Sequence, residues 1–550
     1  MRSTLPQHQT SLTGRGGVSP HIIDKKPRAS ARGGLHITSL DSIRPLVAQA
    51  PSEAKRKRSI KYVDVRVQIT EGVGSWSEDG APKASSQDWG FSLGVRVIAA
   101  KGIAASGYYG RLLGVSDFLH FPQVLLSAID AASQRALANS LHKERFAQLM
   151  PLGQSVTPTE LARIDIHQAI VEAVFAIDPR NTTPDFFSNF VCEAGLRAKR
   201  SHPSIKKVEV SASSVISRQL FSSSEGAFID QSSCSTGGTV FVLAQNASGN
   251  RPVDLYHHTG NQLGFEALSL GKNAHKMTLS QFARQIADEA NTLSEAKPAP
   301  SKDKPVVVVL DPDLVALFAH EIIGHPAELD RAIKMETGYA GRSWFFTDLQ
   351  KSMVGKKIGS PLLTAFSDPT LRGGYGHYLY DDEGTPAKRV YHINKGIFQD
   401  FLNSRQTAAI VGAAPNGHYK ANDASVVPLI RMSVSAIAPG KSNPASIISD
   451  VEHGYYCVGH RIPSISESRE NFQIAPRLIY EIRHGRLGRV FRDGRVTANS
   501  KDFFNSIDAV GSDFTIFPIP NCGKGQPMQA KQVGNGGPTI RAQAMIARGV

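Results

Sequence analysis

Residues 305–326 restrict the fold of this chain more than any other stretch. Pro-Val-Val-Val-Val-Leu at 305–310 is a buried strand by its β-branched content. Asp311-Pro312-Asp313 then starts a helix, with an N-cap acid, proline at the first helical position and an acid in the first turn. That helix carries His320-Glu-Ile-Ile-Gly-His325-Pro326. Positions five apart lie about 140° apart around an ideal α-helix, so His320 and His325 could not face one point from it. The deformation is written beside them: Gly324 tolerates unusual dihedrals, and Pro326 removes a donor and disfavours the α region for His325. A π-bulge, or a helix end at Gly324, is expected to swing His325 toward His320.

The pattern is one residue longer than the HExxH helix of zinc proteases. Two neutral imidazoles suit Zn²⁺, and Glu321 stands where a base for water belongs. A catalytic zinc takes three protein ligands, and the residues open for the third place are Glu328, Asp330, His418, Glu452, His453, Cys457, His460 and Cys522. Spacing does not choose among them. Cys522 sits in Pro520-Asn-Cys-Gly-Lys-Gly-Gln526, a glycine-rich loop able to wrap an ion, with Lys524 placed to help keep a thiolate ionised. Cys457, beside Tyr455, Tyr456 and Val458, reads as a structural core residue. Arg372, Arg405 and Arg431 read as surface or structural ion pairs, the alternative being a substrate carboxylate or phosphate.

Elsewhere the chain alternates helix and strand signals. Val63, Val65, Val67 and Ile69 interleave with Asp64, Arg66 and Gln68, the period of a half-buried strand. Further strands are expected at 91–99, 207–211 and 239–244, and helices at 123–146 and 278–293. The Lys/Pro/Ser segment 297–304 reads as a linker. Two hairpins are expected, 388–393 with 397–402 around Gly396 and 478–483 with 487–491 around Gly485. The fold class is therefore α+β: a mixed α/β N-terminal domain over 59–300, then an antiparallel β-rich C-terminal domain over 301–550 carrying the metal-binding helix.

Residues 1–60 hold eleven Lys/Arg against three acids, which is +8 of the net +14. Residues 1–58 are thus expected to be a disordered basic tail dispensable for catalysis. The rest is close to charge balance and carries no nucleic-acid-binding motif, so nucleic acid is an unlikely partner class. No apolar run approaches the ~18 residues that span a bilayer, and no secretory apolar core follows Met1. Four cysteines without a CxxC pair exclude a disulfide scaffold and point to a reducing, cytoplasmic setting.

The second half resembles the TldD/PmbA metalloproteases, a family also described as modulators of DNA gyrase. The resemblance runs through Val307-Val-Val-Leu-Asp-Pro312, His320-Glu-Ile-Ile-Gly-His325 with Glu328, Lys357-Ile-Gly-Ser360, Asp368-Pro-Thr-Leu371, Gly373-Gly-Tyr-Gly376, Asp381-Asp-Glu-Gly384, Arg431-Met432, Pro439-Gly440 and Asn521-Cys-Gly-Lys-Gly-Gln-Pro527. It implies zinc held by His320, His325 and Cys522, with Glu321 as the general base. It also implies a zinc peptidase of unfolded or flexible peptides, in a homodimer or in a heterodimer with a family subunit that lacks the motif. A non-proteolytic zinc hydrolase, or a scaffolding subunit, is the alternative.

Overall fold

The computed structural model describes residues 34–57, 59–150, 156–249, 251–338, 341–346 and 352–548. Its first half is a sheet with helices on one face. In spatial order the strands are Ala105–Leu113, Ala81–Ala99, Ile60–Glu78, Ile205–Ser223, Phe228–Ala244 and Gln168–Val171, and Val253–Asn261 also pairs with Phe228–Ala244. Val63, Val65, Val67 and Ile69 point to the helix layer and share a core with Leu125 and Ala128 of helix Phe121–Leu149. Helices Pro184–Lys199 and Leu279–Glu295 cover the neighbouring strands, the latter opening on a capping box in which Thr278 and Gln281 bond each other's backbone N–H.

The first strand is buried on both faces, which period two alone did not convey. Asp64 and Arg66, on the face away from the helices, are 2% and 1% exposed because the second half of the chain lies against them. Arg96 bonds Asp64 at 2.6 Å and Glu383 at 2.7 Å, and Asp382 receives Arg66 at 3.2 Å and Lys420 at 2.5 Å. The two halves meet through these buried charges.

Among the described residues the second half contains two large sheets and a two-stranded ribbon of Tyr419–Lys420 with Leu429–Ile430. In the larger, His453–Ile465, Val306–Leu310, Ile540–Arg548, Gly494–Asn499 and Asn471–Arg483 pair in that order, and the last pairs back with the first, closing a five-strand ring. All pairs in the ring are antiparallel except His453–Ile465 with Val306–Leu310. The smaller sheet runs Ile397–Phe398, Val390–Asn394, Ala365–Ser367, Val434–Ile437, Gln529–Gly537, Thr515–Lys524. Helix Pro312–Phe318 and its continuation lie between the two sheets. Both expected hairpins form around positive-φ turns, Lys395-Gly396 and His484-Gly485, although the strand after Gly396 stops at Phe398.

Two expectations fail here. The basic tail is not disordered throughout: Leu40–Ala54 is an amphipathic helix whose Leu40, Ile43, Val47 and Ala50 enter the same core as Val63 and Val65. The count of charges over 1–58 hid this short apolar stripe; residues 1–33 lie outside the described residues. The expected linker is tied down too, since Lys297–Pro298 pairs with Phe491 and Arg492, Ala299 is buried, and Lys302 N–H donates to Ile546 C=O at 2.8 Å. No helix among the described residues is long and apolar enough to cross a membrane.

Candidate metal centre

Asp311 caps the central helix by accepting from Leu314 N–H at 2.9 Å. The helix runs α over Pro312–Phe318, widens to a π-helix over Ala319–Gly324 and tightens to a 3₁₀ turn over His325–Ala327. At about 4.4 residues per π turn, positions five apart come within about 50° of one another, so the irregularity brings both histidines to one side. The mechanism differs from the one expected. Gly324 (φ −65°, ψ −54°) and His325 (φ −60°, ψ −46°) both keep ordinary right-handed dihedrals. Gly324 is needed for space, because a Cβ there would lie 2.0 Å from Met432 Sδ. Pro326 does not expel His325 from the helical region; it sits in the first turn of the 3₁₀ segment, where its missing N–H is tolerated.

The His320 and His325 ring centroids are 4.7 Å apart at 84°. Cys522, on strand Thr515–Lys524, places Sγ 3.6 Å from His325 Nε2. One donor atom from each residue lies within 4.8 Å of the others, and all three side chains are buried. Both imidazoles are held from behind. Glu328 Oε2 meets His325 Nδ1 at 3.2 Å, and the Asn535 amide meets His320 Nδ1 at 2.8 Å. Turning that amide puts its Oδ1, otherwise without a partner, on the Nδ1–H, which leaves Nε2 as the free donor. Burial opposes a charged sulfur, yet His320, His325 and Arg431 together hold the Cys522 thiol well below its ordinary range. Burial likewise opposes protonation of His320, and the thiolate reverses that. An N,N,S donor set that is buried, preorganised and anionic at sulfur fits Zn²⁺.

Glu321 faces the same space. Arg469 Nη1 donates to its Oε2 at 2.5 Å, and although burial raises the carboxyl, Arg469 and then the two histidines keep it low and ionised. Lys524 does not serve the thiolate as expected. Its ammonium is bound by Asp330 at 2.7 and 2.9 Å and by Glu328 at 3.3 Å, so it acts on His325 through Glu328. Glu328 also receives Arg331 Nε at 2.6 Å; buried completely, it is kept ionised against its own desolvation by Lys524 and Arg331.

The other sequence candidates lie elsewhere. Cys457 is buried in strand His453–Ile465, where its carbonyl accepts from Asp311 N–H and burial pushes its thiol up. His418 bonds the Asn416 carbonyl at 3.0 Å, and burial pulls it down to about 3. Glu452 pairs with His484, and His453 meets that same ring edge-on. His460 belongs to a second group with His257 and Asp313. Arg405 is a structural pair with Glu225 at 2.7 Å, and Arg431 donates to the Gln529 and Cys522 carbonyls. Arg372 is exposed. Sequence reasoning gave no role at the site to Asn535, Met432 or Arg469, all remote in sequence from the helix; only Met432 entered it, within the Arg431-Met432 stretch of the resemblance.

Residues 303–549 match the PmbA/TldA metallopeptidase C-terminal domain. A metalloprotease of Methanocaldococcus jannaschii is 29% identical over 62% of this chain and 70% of its own length. A protein of Saccharolobus solfataricus named a zinc metalloprotease TldD homolog is 26% identical over 63% and 72%. A Haemophilus influenzae metalloprotease TldD homolog extends the match to 90% of this chain and 94% of its own, at 22% identity. Among solved structures, a Thermotoga maritima protein described as a candidate modulator of a DNA gyrase superposes with a TM-score of 0.68 over 91% of this chain and 99% of its own, at 14% identity. TldE from Thermococcus kodakarensis gives 0.64 over 92% and 99%, at 17% identity.

Proposed function

This chain belongs to the TldD/PmbA family, and we propose that it is a zinc-dependent peptidase acting on unfolded or flexible peptides. The observation that carries this reading is the convergence of His320, His325 and Cys522 with the ionised carboxylate of Glu321 beside them. Zinc held by these three residues would supply Lewis acidity for activating water and polarising a peptide carbonyl.

The remaining work falls to the chain. Glu321 accepts the proton of the attacking water and returns one to the leaving amine, so a single carboxylate acts first as base and then as acid. Its low pKa keeps it in the accepting form at neutral pH. Asn535 and Glu328 orient the two imidazoles. The strand that carries Cys522 is an edge of the smaller sheet, suited to pairing with the backbone of an extended peptide; Pro518 and Pro520 lack donors there and shape how far pairing can run. The protein is proposed to act in the cytoplasm as a homodimer or with a family subunit lacking the HExxxH motif.

Metal analysis and digestion of an unfolded peptide test this. Zinc-loaded wild type should cleave it, a chelator should stop cleavage, and Glu321→Gln should keep its zinc while losing about 10²- to 10⁴-fold in rate. Zinc-loaded protein that leaves peptides intact, both alone and with a motif-lacking partner, would end the reading.

A further inference from the structure

The loop 466–470 joins strands His453–Ile465 and Asn471–Arg483 of the ring. Arg469, in that loop, has φ +67°, a left-handed conformation that a bulky side chain adopts only when its surroundings impose it. The surroundings do so at every side. Arg469 N–H donates to Ser466 C=O at 2.9 Å, its own C=O accepts from Ser500 Oγ at 2.8 Å, Ser500 N–H donates to Glu470 C=O at 2.7 Å, and Trp344 N–H donates to Ser468 C=O at 3.0 Å. The chain thus accepts an unfavourable backbone at a residue that is 6% exposed and whose Nε, within the described residues, has no hydrogen-bond partner. Among the described residues its one ion pair is with Glu321.

That contact is selective. Arg469 Nη1 takes Oε2 of Glu321, and no donor among the described residues takes Oε1. One carboxylate oxygen is pinned and the other is left for water. Glu321 lies on the π-helix, whose wide turn sets the histidines but offers the glutamate side chain no hydrogen bond of its own helix. Its orientation therefore depends on a group from another element.

We propose that Arg469 is the positioning residue for Glu321, holding Oε2 so that Oε1 faces the attacking water. This deepens the peptidase reading and rests on it. A displaced base about 1 Å from its place costs on the order of 10²-fold in rate without weakening substrate binding in proportion.

Arg469→Gly is the informative variant, since glycine takes φ +67° without strain and leaves a guanidinium-sized space. Zinc-loaded full-length protein should show kcat lower by about 10²-fold, with KM and zinc content within about threefold of wild type. Millimolar guanidinium or methylguanidinium should restore at least about a tenth of the lost rate, which a merely structural role would not permit. Arg469→Lys should keep the fold and recover less than added guanidinium does, because one ammonium lacks the planar fork. A crystal structure of Arg469→Gly supplies the readout apart from activity, with the Glu321 carboxylate expected to leave its single orientation. Wild-type kcat in the glycine variant, or a Glu321 carboxylate unmoved in its structure, overturns the proposal. If zinc-loaded wild type itself cleaves nothing, the peptidase reading fails separately, and the Glu321 orientation still decides whether Arg469 positions it.

Discussion

Among the described residues two triads offer metal-binding atoms within 4.8 Å of one another, His320/His325/Cys522 and His257/Asp313/His460, and they differ in where their counter-charges lie. In the second triad, Asp313 receives His460 Nδ1 at 3.0 Å and Arg477 Nη1 at 2.8 Å, and His257 Nε2 lies 2.9 Å from it. The guanidinium stands where a metal's charge would be, and it is fixed by Glu289 at 2.9 Å. Burial, and then Arg477, drive His257 well below its usual range, so it stays neutral against the acid. In the first triad the cations stand outside. Arg331 and Lys524 are neutralised by Glu328 and Asp330 behind His325, Arg469 by Glu321, and Arg431 reaches the Cys522 backbone carbonyl, so no cation is bonded to a ligand atom of the triad and the charges beside it are those of the sulfur and Glu321. Proximity alone does not distinguish the triads; a cation bonded to a ligand atom in one and to none in the other does. The second triad ties the halves together, with His257 and Glu289 from the first and Asp313, His460 and Arg477 from the second.

The contrast breaks most visibly at the sulfur. Cys522→Ser should weaken zinc retention by more than about 100-fold, since losing an outer-shell partner alone costs 10- to 100-fold, whereas Cys457→Ser and His460→Ala should leave zinc content unchanged. Dialysis against a mild chelator followed by metal analysis checks all three, and equal zinc in wild type and Cys522→Ser would reject Cys522 as a ligand. Arg477→Met, by contrast, should cost about 3–5 kcal/mol of stability by stranding a buried carboxylate. Chemical denaturation measures that cost, and the zinc content of the variant should stay at the wild-type value. A smaller effect is expected at Asn535→Ala, which leaves every ligand in place but frees the His320 ring and should weaken zinc by about 10- to 100-fold; competition with a chromogenic chelator reads it.

The smallest effect separates the triads by pH. Burial, and then the neighbouring Asp313, push the Asp311 carboxyl up to about 7. The neutral acid thus stabilises the fold fully below the unfolded value of about 3.9, and that contribution fades as pH rises through about 7. Asp311→Asn, which keeps the cap, should flatten this decline between about pH 4 and 7 without altering zinc. Parallel Tm-against-pH curves for wild type and variant would reject the account.

Local chemistry was legible in the chain itself. The strand before Asp311, the capped helix, the need for a wide turn between His320 and His325, both glycine hairpins and most strands of the first sheet follow from β-branching, capping and period, which act between residues close in sequence. Cys522 as the third ligand came only from resemblance, because loop composition could not choose it over Glu328 or His453. Other features were decided by tertiary structure. Gly324 is small because Met432 approaches it, Lys524 turns to Asp330 rather than to the thiolate, residues 40–54 form a helix because Val63 and Val65 present an apolar face, and the strand 60–78 is buried twice because Asp382 and Glu383 reach Arg66 and Arg96. The physical reason is common to these cases. Each depends on packing, desolvation or charge pairing with residues of another element, and the pairing at Arg66 and Arg96 is not set until the two halves of the chain have closed on one another.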